Sequence, residues 1–294
     1  MTRSPGLGVI TDGISRDLAH ALAVMDEFGL EDAELQFVGD KEVGDLDAGE
    51  RRAVAGLVER HGKRVSCISR HIFAGLPMAT TRPGDAQHRA HMDALARCIA
   101  MAQELDCPRV RIMSGRKEMI LWGAHGAEVW NVARGAWDAL LALIAPAVEL
   151  ARREGITLVV ETGNGTMVHS AWTARRLIDD LDARDTLRVL WDPANAAYAH
   201  ERAWPDAYEL LRDGYLGHLH VKDVHVDTPR AFLEVRPLGE GDLGEQWAQI
   251  GRALRRDGYA GSVSLESVHH PGNGDFEAGF RRNVERFEDW FGGG

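Results

Sequence analysis

Cysteine is scarce in this 294-residue chain. Cys67, Cys98 and Cys107 are an odd number with no CxxC pair, which argues against a disulfide framework and for three reduced, mostly buried thiols in a cytoplasmic protein. Long hydrophobic runs are missing: no stretch of about 18 apolar residues exists, so nothing reads as a membrane-spanning helix. The opening MTRSPGLGVITDG has no charged segment followed by an apolar core and does not read as a signal peptide. Basic residues are in deficit, 34 against 45 acidic, for a net charge of −11. That balance argues against a nucleic-acid partner, whose phosphates are met by Lys and Arg. No GxGxxG follows the first strand and no GxxxxGK[ST] occurs, so nucleotide-binding readings are weak. No Pro/Gly-rich linker divides the chain, which is read as one domain over 1–294.

What is present is an alternation of short apolar runs with helix-period segments. Eight strand candidates stand out: Leu7–Ile10, Ala33–Val38, Arg64–Ser69, Arg109–Met113, Ile156–Glu161, Leu187–Asp192, Tyr215–Val221 and Ser262–Glu266. Several are nearly continuously apolar, as for strands covered on both faces. Between them, apolar stripes spaced three or four apart predict helices with one buried face: Leu18, Leu22 and Met25; Met92, Leu95, Ile99 and Ala102; Trp247, Ile250 and Leu254; Phe276, Phe280, Val284 and Phe287. Ser15 and Ser170 are expected N-caps. Pro146 is expected to kink or split the helical stretch Ala127–Glu154. Eight β/α units fit a (β/α)8 TIM barrel, which uses about 250 residues, better than a doubly wound sheet. The longest interruption, Asp223–Glu245, carries VRPLGEGDLG and is a candidate lid.

Four of the strand runs deliver a metal-binding residue at or near the C-terminal end: Glu161 in ITLVVE, Asp192 in LRVLWD, His220 in LGHLHV and Glu266 in GSVSLE. A parallel barrel gathers such ends at its catalytic mouth. Three carboxylates and one imidazole make a hard, oxygen-rich set that favours Mn2+, with Mg2+ or Co2+ next, over the His- and Cys-rich sites of zinc. Carboxylates left unpaired in a cluster repel one another, and a cation is the simplest remedy.

The segments VVETGN, LWDPAN, GHLHVKD, PLGEGDLG and SLES resemble the xylose isomerase-like sugar phosphate isomerase/epimerase superfamily, closely over about the last 140 residues and in outline before that. The resemblance implies a TIM barrel that binds one divalent ion through Glu161, Asp192, His220 and Glu266. His218, two residues before the ligand, is read as a packed or supporting histidine. It further implies an isomerase or epimerase of a sugar or sugar phosphate working through a metal-bound enediolate, with Glu161 and Glu266 as the acid and base on opposite faces of the reacting carbon. Elimination from the same enediolate would make a lyase, either inosose dehydratase-like or cleaving a group beside a ketone. An endonuclease IV-like DNA-repair enzyme is a distant alternative, and a non-catalytic metal-binding protein another. Such proteins often form homo-oligomers.

Free-ketose 3-epimerases of the superfamily carry Glu, His and Arg where this chain has Met167, Asn195 and Val226, which argues against that substrate. Lys222 and Asp223, directly after the ligand histidine, resemble the phosphosugar epimerase and inosose dehydratase branches. The expected substrate contacts are His71, Trp122, Asn195, Lys222 and Arg236. Arg116, Lys117, Glu240, His269 and His270 are weaker candidates. The substrate expected is a small sugar or polyol.

Overall fold

A computed structural model describes residues 5–123 and 125–292. Eight parallel strands form a closed barrel: β1 Gly6–Ile10, β2 Asp32–Leu35, β3 Arg64–Ile68, β4 Arg109–Ile112, β5 Thr157–Glu161, β6 Leu187–Trp191, β7 Leu216–Val221 and β8 Ser262–Leu265. Each strand pairs with its neighbours in sequence, and β8 closes on β1. Helices cover the outside: α1 Leu18–Glu27, α2 Ala48–Arg60, α3 Ala86–Glu104, α4 Ala136–Glu154, α5 Ala171–Asp180, α6 Tyr208–Leu211, α7 Gly244–Arg256 and α8 Phe276–Phe291. This is a (β/α)8 TIM barrel, and all eight expected strands are in it, the second cut short at Leu35 because Phe37–Val38 pair with Lys41–Glu42 in a hairpin of their own.

The helical stripes bury as their spacing requires, except at Met92, which is half-buried, and at Phe276. Leu22, Met25, Leu95, Ile99, Trp247, Leu254, Phe280 and Phe287 lie in the core between sheet and helices, whereas Phe276 is exposed at the start of α8. Ser170 caps α5 in a capping box with Thr173. Ser15 does not cap α1. That role falls to Asp17, whose carboxylate accepts from the backbone N–H of Ala19 and His20, while the Ser15 hydroxyl accepts from the Asp17 N–H. Pro146 does not split its helix: α4 runs unbroken from Ala136 to Glu154, and the chain breaks earlier, after a 3-10 turn at Ala127–Trp130.

Strand alternation sets what faces the barrel axis. Cys67, Val159 and Leu190 form a small buried cluster of their own. Two residues beyond Val159 stands Glu161, and two beyond Leu190 stands Asp192. Ser264 aligns with His220 in the β7–β8 ladder. The apolar floor thus ends where the polar mouth begins. The three cysteines are free and buried, as expected. No helix among the described residues is long and apolar enough to cross a membrane.

Away from the mouth, Glu201 is a half-buried acid. The Glu201 carboxylate accepts from the N–H of Ala171 at 2.6 Å, at the first turn of α5. Burial pushes its pKa up to about 7, against the backbone hydrogen bond that favours the anion. The native state therefore binds a proton that the unfolded chain releases above the ordinary glutamate value. Stability tied to this group is intact at low pH and is lost as pH rises through about 7. Glu201→Gln should remove this dependence. The wild-type melting temperature should fall relative to the variant between roughly pH 4.5 and 7 by an amount worth ~1–3 kcal/mol, measured by thermal melts across that range.

Candidate metal centre and active site

Glu161, Asp192, His220 and Glu266 offer one ligand atom each, and the four atoms lie within 4.8 Å of one another. Each side chain reaches this point for a local reason. Glu161 ends β5. Asp192 follows β6 and caps the short helix Pro193–Ala197, accepting from the Asn195 N–H at 3.0 Å. Thr162 braces it: the Asp192 N–H donates to the Thr162 hydroxyl at 2.8 Å, and that hydroxyl donates to the Asp192 carbonyl at 3.2 Å. Glu266 follows β8 and is held by its N–H to the Val221 carbonyl at 2.9 Å.

His220 is oriented from below by a residue that sequence reasoning missed. Glu34, fully buried on β2, accepts from Nε2 of His220 at 2.9 Å with one oxygen and contacts Nε2 of His218 at 2.7 Å with the other. The Ser69 hydroxyl donates to the same carboxylate. Nε2 of His220 is thereby committed, and Nδ1 faces Glu266 Oε2 at 3.4 Å and Glu161 Oε1 at 3.8 Å. That Nδ1 is buried and has no hydrogen-bond partner. A histidine fixed at one nitrogen by a carboxylate, with the other aimed into an acidic cluster, has the arrangement of a metal ligand with its outer support. Glu34, His218 and His220 also satisfy the spacing for a metal site, but both Nε2 atoms there are spent on the carboxylate. His218 is fully buried with Ser264 at 3.2 Å, in keeping with a supporting role.

The acids are paired with buried cations. The Arg111 guanidinium, buried on β4, donates to Glu161 at 3.0 Å and to the Ser69 carbonyl at 2.7 Å. The Lys222 ammonium lies 2.7 Å from Asp192 and 2.8 Å from Glu266. Burial alone would raise Glu34, Glu161 and Glu266. The charges of His220 and His218, of Arg111 and His220, and of Lys222 and His220, respectively, hold them below the ordinary carboxylate range. Asp192 goes the other way: burial and the neighbouring Glu266 and Glu161 push it up to about 7 despite Lys222. His220, which burial would lower, is raised well above its usual value by Glu34, Glu161 and Glu266. Four carboxylates face two permanent cations, and the shortfall appears as a pull for protons on Asp192 and His220. The donor set fits a hard divalent ion, which would supply the missing charge.

The expected substrate contacts divide. Asn195 reaches Glu161 with its amide at 3.3 Å, and Lys222 lies among the acids. Arg236 borders a crevice with Lys222, Glu266 and His269, and pairs with Glu234 at 2.8 Å. His71 is turned to Glu42, 2.7 Å away, in a separate pocket with Arg70 and His91. Trp122 stands in an aromatic cluster on the loop after β4. Arg116 is exposed beside Glu118, Glu240 pairs with Arg282, and His270 packs on Phe276. Two further residues went unnoticed: Asp12 and Gln36 line a cavity of about 600 Å3 that has Glu266 in its wall. An arginine or acid inside an apolar strand run, as at Arg111 and Glu34, was the available signal.

Asp223 does not pair with Lys222. Its buried carboxylate accepts from the N–H groups of Val224, Gly239, Gly241 and Leu243, tying both ends of the long loop together. A Cβ on Gly241 would lie 2.3 Å from that carboxylate, so only glycine allows the approach. Inside the loop, Asp223–Asp227 and Phe232–Arg236 pair as an antiparallel hairpin. Asp223→Ala should free the segment 224–243. Amide exchange at Gly239, Gly241 and Leu243 should speed up by roughly 10-fold or more, since a hydrogen bond to a charged acceptor contributes about 1.5–3 kcal/mol; deuterium-exchange mass spectrometry reads it.

With this geometry in hand, comparisons place the chain. A family model described as xylose isomerase-like TIM barrel matches residues 22–290, and the chain belongs to that family. No curated protein matches it by sequence. Among solved structures, it is similar to a xylose isomerase-like TIM barrel protein from Mycobacterium smegmatis in complex with magnesium (18% identity, TM-score 0.64, covering 99% of this chain and 94% of that one). It is also similar to D-psicose 3-epimerase from Clostridium cellulolyticum H10 with D-tagatose (14%, 0.65, 97% and 91%). A third is the probable 3-DHS dehydratase AsbF of petrobactin synthesis from Bacillus anthracis (15%, 0.69, 94% and 97%). At these identities the likeness is one of fold. Other proteins of this fold include an L-ribulose 3-epimerase, 19% identical with a TM-score of 0.67.

Proposed function

We propose that the protein is a divalent-metal-dependent isomerase or epimerase acting on a sugar or polyol-derived ketone, with the whole 1–294 chain serving as one barrel domain. The observation that carries this reading is the orphaned Nδ1 of His220, locked by Glu34 and aimed between two carboxylates. Glu161, Asp192, His220 and Glu266 would hold the ion, Mn2+ by the hardness of the set, with Mg2+ or Co2+ as substitutes. When bound, it supplies Lewis-acid polarisation of a carbonyl oxygen and stabilises the negative charge of an enediolate.

The chain's own groups do the rest. Arg111 keeps Glu161 ionised, and Lys222 does the same for Glu266, so both carboxylates can accept a proton from the carbon beside the carbonyl. Glu161 and Glu266 lie 3.8 and 3.4 Å from His220 Nδ1, and in this reading one would remove a proton and the other return it on the opposite face. Asn195 orients Glu161 through its amide. Lys222 and Arg236 border the crevice beside Glu266, where they would meet substrate oxygens. His71 and Trp122, engaged elsewhere, would touch only the outer parts of a larger substrate.

A lyase is the second reading, and Lys222 favours it. Its ammonium, 2.8 Å from Glu266, is a proton donor placed to assist a leaving oxygen or carbon after the same deprotonation. Product NMR separates the two, because elimination changes the atom count.

The test is deuterium wash-in from D2O at the carbon beside the carbonyl, followed by NMR over a ketose panel. Mn2+-loaded protein should exchange, chelated protein should not, and Mn2+ should restore the signal. Full exchange by metal-free protein would overturn the reading. Glu161→Gln and Glu266→Gln should each lower the rate by roughly 10²–10⁴-fold. Glu34→Gln should weaken Mn2+ binding by about 10–100-fold in calorimetry, as loss of a ligand's outer support does.

A further inference from the structure

The loops that leave β4 and β5 enclose a cavity of about 500 Å3 that the chemistry above does not use. Its walls include Met119, Ile120, Trp122, Trp137 and Met167. Strand β4 ends at Ile112 and β5 at Glu161, so both loops rise from the face that carries the acidic cluster, and Met167 lies six residues beyond Glu161.

The walls are fixed rather than loose. Trp122 meets Trp137 and Trp172 edge-on, at 5.3 and 5.4 Å, and the Arg176 guanidinium lies 4.3 Å from its ring centre. Held on three sides, the indole still leaves 39% of its surface exposed, and Met119 leaves 66%. Met167 is anchored by its N–H to the Ser114 carbonyl, and its sulfur accepts from the Glu118 N–H at 3.3 Å. Thioethers beside an indole make an adaptable surface that takes aromatic rings well. The volume suits a small molecule.

Three polar residues in the wall, His169, Lys117 and Glu118, define what else an occupant must offer. The Glu118 carboxylate, 3.7 Å from the Arg116 guanidinium, favours a hydroxyl over a free anion. Nδ1 of His169 donates to the Met167 carbonyl at 3.0 Å, so Nε2 of the neutral ring is an acceptor. Burial, with Lys117 nearby, holds this histidine below its usual pKa, which keeps that acceptor available. Lys117 is an exposed cation in the cavity wall. A hydroxyl that can donate to His169, or an acidic oxygen that can meet Lys117, completes the match to an apolar ring.

We propose that this cavity is a subsite for an aromatic, hydroxyl-bearing substituent of the substrate, so that the protein acts on an aryl-substituted sugar ketone rather than a free sugar. The proposal rests on the function given above for its sugar-handling half, but the subsite itself needs neither cation nor turnover.

The probe is 2-naphthol, titrated into metal-free full-length protein and followed by tryptophan fluorescence and calorimetry. Saturable binding is expected. It should weaken at least ten-fold in Trp122→Ala and in Met119→Glu, whose exposed side chain can be replaced without disturbing the barrel. His169→Phe should abolish the preference for 2-naphthol over naphthalene. All three variants should take up Mn2+ as the wild type does. Equal binding by wild type and Trp122→Ala, or none at millimolar probe, would overturn the subsite. So would a dimer in sedimentation velocity that Met119→Glu and Trp122→Ala both disperse, since a second copy would then own the surface. Loss of the metal-dependent reaction alone leaves the subsite standing, and loss of probe binding alone leaves the reaction standing.

Discussion

One buried carboxylate organises the mouth of this barrel. Glu34 reaches across from β2 and takes Nε2 of both His218 and His220, two imidazoles that meet edge to face two residues apart on β7. Removing a carboxylate from water costs several kcal/mol unless donors replace the water. Here two imidazoles and the Ser69 hydroxyl do so. The consequence is directional. With Nε2 pinned, the His220 ring cannot turn, and its remaining nitrogen must face Glu161 and Glu266. Every later statement about ligand geometry inherits that constraint.

Charge is the second constraint. Glu34, Glu161, Asp192 and Glu266 bring four negative charges into a space where Arg111 and Lys222 supply two positive ones. The arginine is not interchangeable with a lysine, because its fork satisfies Glu161 and the Ser69 carbonyl together. The residual imbalance falls on Asp192 and His220, the two groups whose proton affinity is raised. A divalent ion and a proton are alternative answers to the same deficit. Lys222 shares Asp192 and Glu266 with any such ion, which ionised carboxylates permit because each offers about four lone-pair sites.

The fold was largely readable from the chain, because apolar runs of strand length are a local signal and eight of them alternate with helical stripes. That these four side chains would meet was readable for the same reason: each stands at or near the end of such a run, and a parallel barrel has one end for them to share. Glu34 and Arg111 were not, because their partners come from distant strands. Nothing local in DAELQF says that its acid will meet two histidines 184 and 186 residues away. Their visibility lay only in being charged at an inward position of a strand. Ser15, which does not cap, and Pro146, which does not split its helix, are misses of another kind. Asp17 is as good a cap as Ser15 and sits next to the first helical residue, and the 19-residue α4 is held by enough packing on the barrel to carry a proline through its middle. His71 was drawn away by Glu42, a partner on a neighbouring loop that spacing does not reveal.

The mouth is chemically lopsided, and that asymmetry bears on substrate more than the quartet does. The quartet is compatible with proton transfer, isomerisation or elimination alike, since all three begin by removing a proton beside a carbonyl. What differs is the wall. Toward β1 and β2 it offers Asp12, Arg16 and Gln36, groups that suit hydroxyls. Toward β4 and β5 it offers mainly thioethers and indoles, with His169, Lys117 and Glu118 as its few polar groups, so most hydroxyls of a bare polyol would find no partner there. A guest with a hydroxylated half and an aromatic half satisfies both walls at once. A free sugar satisfies one and leaves the other exposed to water, where the apolar surface of Met119 and Trp122 gains nothing from its presence.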